Sequence, residues 1–424
     1  MKSIRFFTYS SVVALLLSAG AVRAADESPF KFEFHGFVTG SIFIQNQVFA
    51  GGTGQDNLFF APTAANEVGN AANTLKSGTF LGADARQSRW IFVVTGPKAF
   101  GATPKSYFEG DFLGTPVGEI ASTQARLRAA YGELKWGTTQ VQVGQYSAQL
   151  VLAQLSASVA HIANPITFGT GTVGGRAMGI RVINSMPVGD MKLELAGEVL
   201  ASKFPPDEAN RPTSPAGGGG TTAVSRAWAA GIPSVGARGT LSGKAGDVSY
   251  AAYLAGIWET VDLKGYGETA PNGVTLADGS TKKSFSPYAL NVGGRVAVSL
   301  VNFAGNYYIG KGAGVWAGSL NQQGEIGGSG FWAQLGVQPT KLVGLYALYG
   351  QGKADKEDLV KWTVPGFGGD RTDNTLMGAI LRLSDGGYTF AAEYYNIETK
   401  RRVAAGVDPK TSGYQIILSG HYAF

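Results

Sequence analysis

The stretch SGYQIILSGHYAF (412–424) ends the sequence, and from Tyr414 onward every second residue is apolar, aromatic or glycine. An alternation of period two predicts a β-strand with one apolar face. The pattern continues to the terminal Phe424, whereas the ends of soluble domains usually fray. We therefore expect this last strand to be paired along its whole length, and the rest of the sequence has to supply its partner.

Residues 1–24 have the features of a secretory signal peptide. Lys2 and Arg5 precede an apolar run over residues 12–22, and small residues surround Ala24. The run is too short to cross a membrane as a helix. We expect cleavage after Ala24 and a single domain over residues 25–424.

Composition limits the classes of function. The sequence has no cysteine, which excludes disulfides, thiol catalysis and thiolate metal ligands. Without the three basic residues of the leader, the formal charge of +5 falls to +2, which argues against an obligate nucleic-acid-binding protein. Beyond the leader, no apolar run reaches the roughly 18 residues of a membrane-spanning helix. High glycine content, with 62 residues, and only 15% charged residues favour a chain with lipid outside and water inside.

Sixteen segments show the alternation of a strand. The first is FKFEFHGFVTGSIFIQN (30–46), which places phenylalanine, valine, isoleucine and glycine on one face and polar residues on the other. The other fifteen lie near 84–96, 104–113, 123–136, 139–148, 176–187, 190–201, 231–242, 247–260, 286–299, 302–312, 330–338, 341–354, 374–384, 387–401 and 412–424.

The connections between these segments alternate strictly in length. Long ones cover 49–83, 114–122, 149–175, 202–230, 261–285, 313–329, 355–373 and 402–411. Most of the connections between them are short turns. Short periplasmic turns and long external loops are typical of outer-membrane barrels. The sequence therefore predicts an all-β fold, a 16-stranded antiparallel transmembrane β-barrel. Because the bilayer offers no water to an open sheet edge, the last strand must pair with the first.

Three stretches carry a resemblance to a known family. ADARQSRWIFVVTGP (83–97) resembles the second strand of bacterial trimeric porins, YFEGDFLG (107–114) the third, and RLRAAYGELKWGTTQVQVGQYSAQ (126–149) the fourth and fifth. The protein is similar to the sixteen-stranded porins, nearest the DcaP-like dicarboxylate porin group. It departs from some members because only ADESPF (25–30) separates the leader from the first strand, with no coiled-coil-like segment.

The resemblance implies an assembly and a constriction. It predicts a homotrimer with one pore per subunit and an inward-folded third loop. It also implies that Phe424, with Tyr422, is a signal to the barrel assembly machinery of the outer membrane.

The candidate constriction loop spans residues 148–175 and carries no acidic residue, lysine or arginine; His161 is its titratable group. The strands around it are rich in arginine. The candidates are Arg86, Arg89, Arg126, Arg128, Arg176 and Arg181, with Arg238, Arg295 and Arg382 in later strands. Because arginine near the lipid midplane costs about 2–4 kcal/mol, most should face the lumen. By the same alternation, the lumen-facing acids are Glu109, Asp111, Glu194, Glu198 and Glu393.

These arginines have two interpretations. As an anion filter, they attract carboxylates or phosphates, and the excess of bases over acids favours this interpretation. As braces, they pair with Glu109, Asp111 and Glu194 on neighbouring strands. Arg86 and Arg89 differ in parity, so we expect one of them at a bulge or in the subunit interface.

Two further patterns carry less weight. His35 and His421 fall on the polar faces of the first and last strands, which predicts a contact on closure, but no carboxylate spacing completes a metal site. GTGTVG (169–174) has the glycine spacing of a dinucleotide-binding turn, but it lies in a loop that leads into a strand rather than a helix. We expect no metal and no cofactor.

The predicted function is passive diffusion of small hydrophilic solutes, with a preference for anions that could include small carboxylates. One alternative is an adhesin or receptor barrel with a blocked lumen. Another is an outer-membrane hydrolase, which would need a serine and a histidine together at the outer rim; the sequence has three histidines, and two fall near the periplasmic end.

Overall fold

The computed structural model describes residues 29–46, 49, 79–114, 124–148, 157–160, 165–201, 232–262, 274–276, 279–316, 318–320, 324–362, 371–402 and 410–424. The predicted signal peptide (1–24) and His161 lie outside these residues, so both stay predictions.

Sixteen antiparallel strands form one closed barrel, as the alternation predicted. The sheet contains seventeen segments because the second strand is interrupted. The strands are β1 Lys31–Gln45, β2 Phe80–Asp84 with Arg89–Thr95, β3 Thr103–Asp111, β4 Arg126–Trp136, β5 Thr139–Tyr146, β6 Ala177–Val188, β7 Met191–Ala201, β8 Ser234–Ala245, β9 Val248–Trp258, β10 Tyr288–Val298, β11 Val301–Lys311, β12 Gly327–Val337, β13 Val343–Ala354, β14 Arg371–Asp385, β15 Tyr388–Arg401 and β16 Lys410–Ala423.

Little else is regular among the described residues. Two pairs of two-residue strands lie in the connection from β9 to β10. A 3₁₀ turn covers Ala313–Trp316, and one short helix, α1, covers Lys356–Lys361. Among the described residues, no helix combines the length and apolar character needed to cross a membrane.

The barrel closes between its first and last strands. The register runs from Phe37 opposite Ala423 to Gln45 opposite Gln415. Beyond it, the backbones of Gly36 and Phe424 exchange two hydrogen bonds of 3.1 Å. The terminal residue is therefore part of the seam, and the predicted closure is confirmed.

The outer face is apolar, as a lipid-facing surface requires. Alternate residues of β1, such as Val38 and Ile42, are exposed, as are their counterparts on β16. An aromatic cluster lies at the end with the short turns: the ring of Phe34 is 5.4 Å from Phe424, and Tyr388 is 4.5 Å from Tyr422. Such rings at a membrane interface match the aromatic girdle of outer-membrane barrels. Short turns and an aromatic girdle identify this as the periplasmic end.

The interruption of β2 covers residues 85–88, where a turn links Ser88 N to Ala85 O at 3.1 Å. Both segments of β2 still pair with β1. The irregularity expected from the parity of Arg86 and Arg89 is therefore present, and Arg86 lies in it.

Candidate functional site

The third loop folds into the lumen. Its described residues include 157–160 and 165–175, and several of them hydrogen-bond to lumen-facing side chains of strands far along the chain. Ser158 N donates to Gln334 Oε1 of β12 at 2.7 Å, and Ala160 N donates to Glu393 Oε1 of β15 at 2.8 Å. The predicted inward loop is confirmed for these residues.

Glycines on β12 and β13 leave room for this loop. A Cβ on Gly330 would lie 1.6 Å from Thr170 O, and one on Gly352 would lie 2.4 Å from Gly169 O. A Cβ on Gly350 would lie 2.8 Å from Thr170 Oγ1. Because real Cβ atoms do not come this close, any side chain here would displace the loop. We call the three glycines, with Asn306 and Asn374, the loop seat.

Two asparagines of the loop seat hold the glycine-rich turn. Asn374 donates to Gly169 O at 3.3 Å, and Asn306 donates to Gly171 O. The turn is also tied internally, since the backbone amides of Thr170, Gly171 and Thr172 all lie 3.1–3.2 Å from Thr167 O. GTGTVG (169–174) is thus a buried docking turn that leads into β6, and no helix follows it.

The opposite side of the lumen is charged. Arg126 binds the fully buried Asp111 with two hydrogen bonds of 2.8 and 2.7 Å. Arg128 reaches Glu109 at 2.6 Å and Asp111 at 2.9 Å. Arg89 lies 3.2 Å from Glu109. The bracing contacts considered from the sequence are therefore present.

A β-bulge organises these contacts. The register between β3 and β4 shifts between Glu109 and Gly110, so that Glu109 faces Ala129 and Asp111 faces Arg126. Simple alternation places Ala129 on the outer face, but the bulge brings this buried residue to the lumen side. The same shift lets Arg126 and Arg128 both approach the two carboxylates.

Arg176 adds a positive charge without an ion pair. Its Nη1 donates to Leu127 O at 3.3 Å, and within the described residues no carboxylate lies in salt-bridge range. As a guanidinium, Arg176 is charged at neutral pH. We call the following group the arginine cluster: Arg89, Arg126, Arg128, Arg176, Glu109 and Asp111.

The arginine cluster carries four guanidinium groups and two carboxylates, a net charge of +2. Water reaches it, because the side chains of Arg89 and Arg126 are 22% and 23% exposed. Further round the wall the arginines are paired: Arg181 lies 2.8 Å from Glu198, and Arg238 shares Glu194 with Lys192 at 3.0 and 3.3 Å.

The remaining candidates are scattered. Arg86 is buried against Asp84 at 2.6 Å, in the interruption of β2. Arg295 is exposed on the lumen face of β10, between Ala251 and Ala304 in the register. Phe424 and Tyr422 lie at the seam, and their role in assembly stays a prediction.

The predicted contact between His35 and His421 is wrong. The register places His421 opposite Thr39, four residues beyond His35. His421 packs on Phe37, with ring centroids 4.5 Å apart, whereas His35 lies 3.6 Å from Glu33. In the part of the chain that the structure describes, no group of three potential metal ligands occurs.

Comparison with solved structures identifies the fold. No protein-family model matches the sequence, and no curated protein matches it. The outer membrane channel DcaP of Acinetobacter baumannii aligns with a TM-score of 0.60 at 13% identity, over 95% of this chain and 99% of that chain. An anion-selective porin from Comamonas acidovorans gives 0.54 at 12%, over 93% and 100%. OmpT of Vibrio cholerae gives 0.51 at 10%, over 95% and 100%. At these identities the likeness is one of fold, and the fold is that of an outer-membrane porin.

Proposed function

We propose that this outer-membrane barrel is a homotrimeric porin through which small hydrophilic solutes diffuse, with a preference for anions that includes small carboxylates. The observation that carries the proposal is the net charge of +2 in the arginine cluster, on the wall facing a loop without acidic residues. Fixed charge beside a narrow, low-dielectric passage raises the local concentration of counter-ions.

The pairing inside the cluster does not cancel this preference. Asp111 and Glu109 are each shared by two guanidinium groups, so the carboxylates order the arginines and leave an excess of positive charge. An ordered guanidinium keeps donors for a passing carboxylate or phosphate, which it binds in a planar fork. Bracing and filtering are therefore compatible roles for the same residues.

The trimer rests on resemblance and on a fold neighbour. OmpT of Vibrio cholerae has been solved in a trimer form, which aligns at a TM-score of 0.50 and 12% identity. An exposed apolar outer face would be buried in part between subunits. On unheated SDS gels we expect an oligomer that converts to the monomer on boiling. A monomer before heating would reject the trimer while leaving the barrel intact.

Ion selectivity tests the preference directly. Purified protein in a planar bilayer under a potassium chloride gradient should give a reversal potential of the anion-selective sign. The shift should weaken as salt rises, because the Debye length falls from about 30 Å at 0.01 M to about 3 Å at 1 M. A cation-selective reversal potential would reject the preference. Absence of any channel would instead favour the blocked-lumen receptor.

A further inference from the structure

Arg382 is a lumen-facing arginine outside the arginine cluster. It lies near the periplasmic end of β14, three residues before the strand ends at Asp385. The alternate residues Leu376 and Ile380 of the same strand are buried toward the interior, which fixes the face on which Arg382 lies. Its register partner on β15 is Ala391, so no acid faces it there.

A buried tyrosine holds the Arg382 side chain. Its guanidinium carbon lies 5.1 Å from the centroid of the Tyr346 ring, and Nη2 donates to Tyr346 Oη at 3.1 Å. Tyr346 itself is only 5% exposed. Because the cation is stacked and hydrogen-bonded at once, it is positioned before any ligand arrives.

The tyrosine hydroxyl has a proton left to donate. Its oxygen accepts from Arg382 and also from Gln338 Nε2, at 3.0 Å. A phenol oxygen that accepts twice directs its own O–H elsewhere. Within the described residues that O–H has no acceptor, and no carboxylate forms an ion pair with Arg382.

Several neighbouring lumen-facing side chains carry hydroxyl groups. Ser384 Oγ and Thr389 Oγ1 lie 3.0 Å apart, and Ser41 Oγ and Ser419 Oγ lie 3.3 Å apart on the next strands. His421 is opposite Thr389 in the register. The lumen-facing acid of β15, Glu393, lies opposite Ile380 and accepts from Ala160 N and Tyr395 Oη, so the groups next to Arg382 are mainly hydrogen-bond donors. A guanidinium makes its strongest hydrogen bonds to an anionic acceptor.

We propose that Arg382, Tyr346 and Gln338 form an oxyanion-binding site at the periplasmic end of the lumen. Its ligand is the carboxylate or phosphate group of a solute in the pore. Arg382 supplies the charge and two remaining edges of its fork, Tyr346 supplies the O–H, and Gln338 supplies its second amide hydrogen. The inference rests on the proposed function and deepens it, because it adds a second anion-binding site on the wall away from the arginine cluster.

Direct binding tests the site. The folded wild-type protein in detergent at low ionic strength is titrated with sodium acetate and, separately, with inorganic phosphate. Line broadening of the acetate methyl proton or the phosphate phosphorus reports weak binding. Arg382→Gln and Tyr346→Phe are compared with Arg295→Gln, which removes an exposed lumen arginine at the same distance from a periplasmic turn.

We expect the three variants to differ in anion binding. Arg382→Gln and Tyr346→Phe each weaken binding of the preferred anion about tenfold, as the loss of a hydrogen bond to a charged group would. Arg295→Gln leaves it near the wild-type value. The anion that binds more tightly identifies the source as carboxylate or phosphate. Heat-modifiable migration confirms that each variant is folded.

Two results would overturn the proposal. Equal weakening by all three variants would show that net charge at the mouth, rather than a site, holds the anion. Unchanged binding in Tyr346→Phe and Arg382→Gln would show that Arg382 only packs on its tyrosine. The binding test and the ion-selectivity test can fail separately. Anion-selective current without this binding rejects the site alone. This binding together with cation-selective current rejects the proposed function alone.

Discussion

The two sides of the lumen differ in how they use polar residues. The arginine cluster on β2–β4 and at the start of β6 keeps charged groups in partial contact with water. The loop seat on β11–β14 uses glycines and two buried amides, and the loop turn that it holds is almost fully buried. A charged wall can act on solutes only where water carries them past it, whereas the loop seat acts through shape. The difference suggests two roles within the proposed porin: the loop seat would fix where the passage is narrow, and the arginine cluster would determine which ions are favoured there.

The largest effect, on single-channel conductance, is expected from a substitution that fills the loop seat. Gly330→Ala puts a Cβ where Thr170 O lies 1.6 Å away, so the turn has to move away from β12. Overpacking of this kind costs about 1–3 kcal/mol. The strand pairings are untouched, so the barrel should assemble with a lower and noisier single-channel conductance. Gly132→Ala is the matched control, since nothing lies within 4 Å of a Cβ at Gly132. Equal conductance in the two variants would mean that the loop does not define the narrow part.

The second largest effect, on ion selectivity and stability, is expected from substitutions in the arginine cluster. Arg126→Gln with Arg128→Gln reduces its net charge from +2 to 0 and leaves the fully buried Asp111 without its ion pairs. Removal of one partner from a buried pair costs about 3–5 kcal/mol. We expect a lower dissociation temperature of the proposed trimer and a reversal potential shifted toward cations, most at low salt.

A fourfold variant separates the two effects. Adding Glu109→Gln and Asp111→Asn to that double variant removes equal numbers of positive and negative charges, so the net charge returns to +2. Both the dissociation temperature and the anion preference should recover toward wild type. If stability recovered but anion preference did not, the order of the guanidinium groups, rather than net charge, would set selectivity.

A smaller effect is expected at Arg176, because it has no ion pair to break among the described residues. Arg176→Gln should shift the reversal potential toward cations by about half as much as the double variant, since it removes one charge instead of two. Stability should change by less than about 1 kcal/mol, as for other substitutions away from buried pairs. Arg176→Lys keeps the charge and should retain selectivity. A loss of selectivity in the lysine variant would point to the planar guanidinium as the feature that matters.

The fold could be predicted from the sequence because its signals are local. Alternation along each strand and the alternation of turn and loop lengths gave all sixteen strands, and the aromatic end of β16 indicated closure on β1. The inward loop came from resemblance, and the described contacts confirm it.

The site was harder to predict because its contacts depend on register. The bulge at Glu109 reverses the face of the residues that follow Arg128, and alternation alone does not contain it. The loop seat was missed altogether: Gly330 is one of 62 glycines, and its role depends on where a distant turn lies. Asn306 and Asn374 gave a weak signal, as amides at lumen-facing positions of late strands.

The smallest effect should come from Glu393, a carboxylate on the side of the loop seat. It accepts hydrogen bonds from Ala160 N at 2.8 Å and from Tyr395 Oη at 3.1 Å, and it is buried beneath the loop. Glu393→Gln keeps an acceptor for Ala160 N and removes one negative charge. If selectivity is determined only where water reaches charged groups, the reversal potential should stay at the wild-type value. Glu109→Gln, which removes one negative charge from the water-accessible arginine cluster, should in contrast raise anion preference. A shift of equal size in both variants would show that the loop seat also acts on ions, and the division between the two sides would fail.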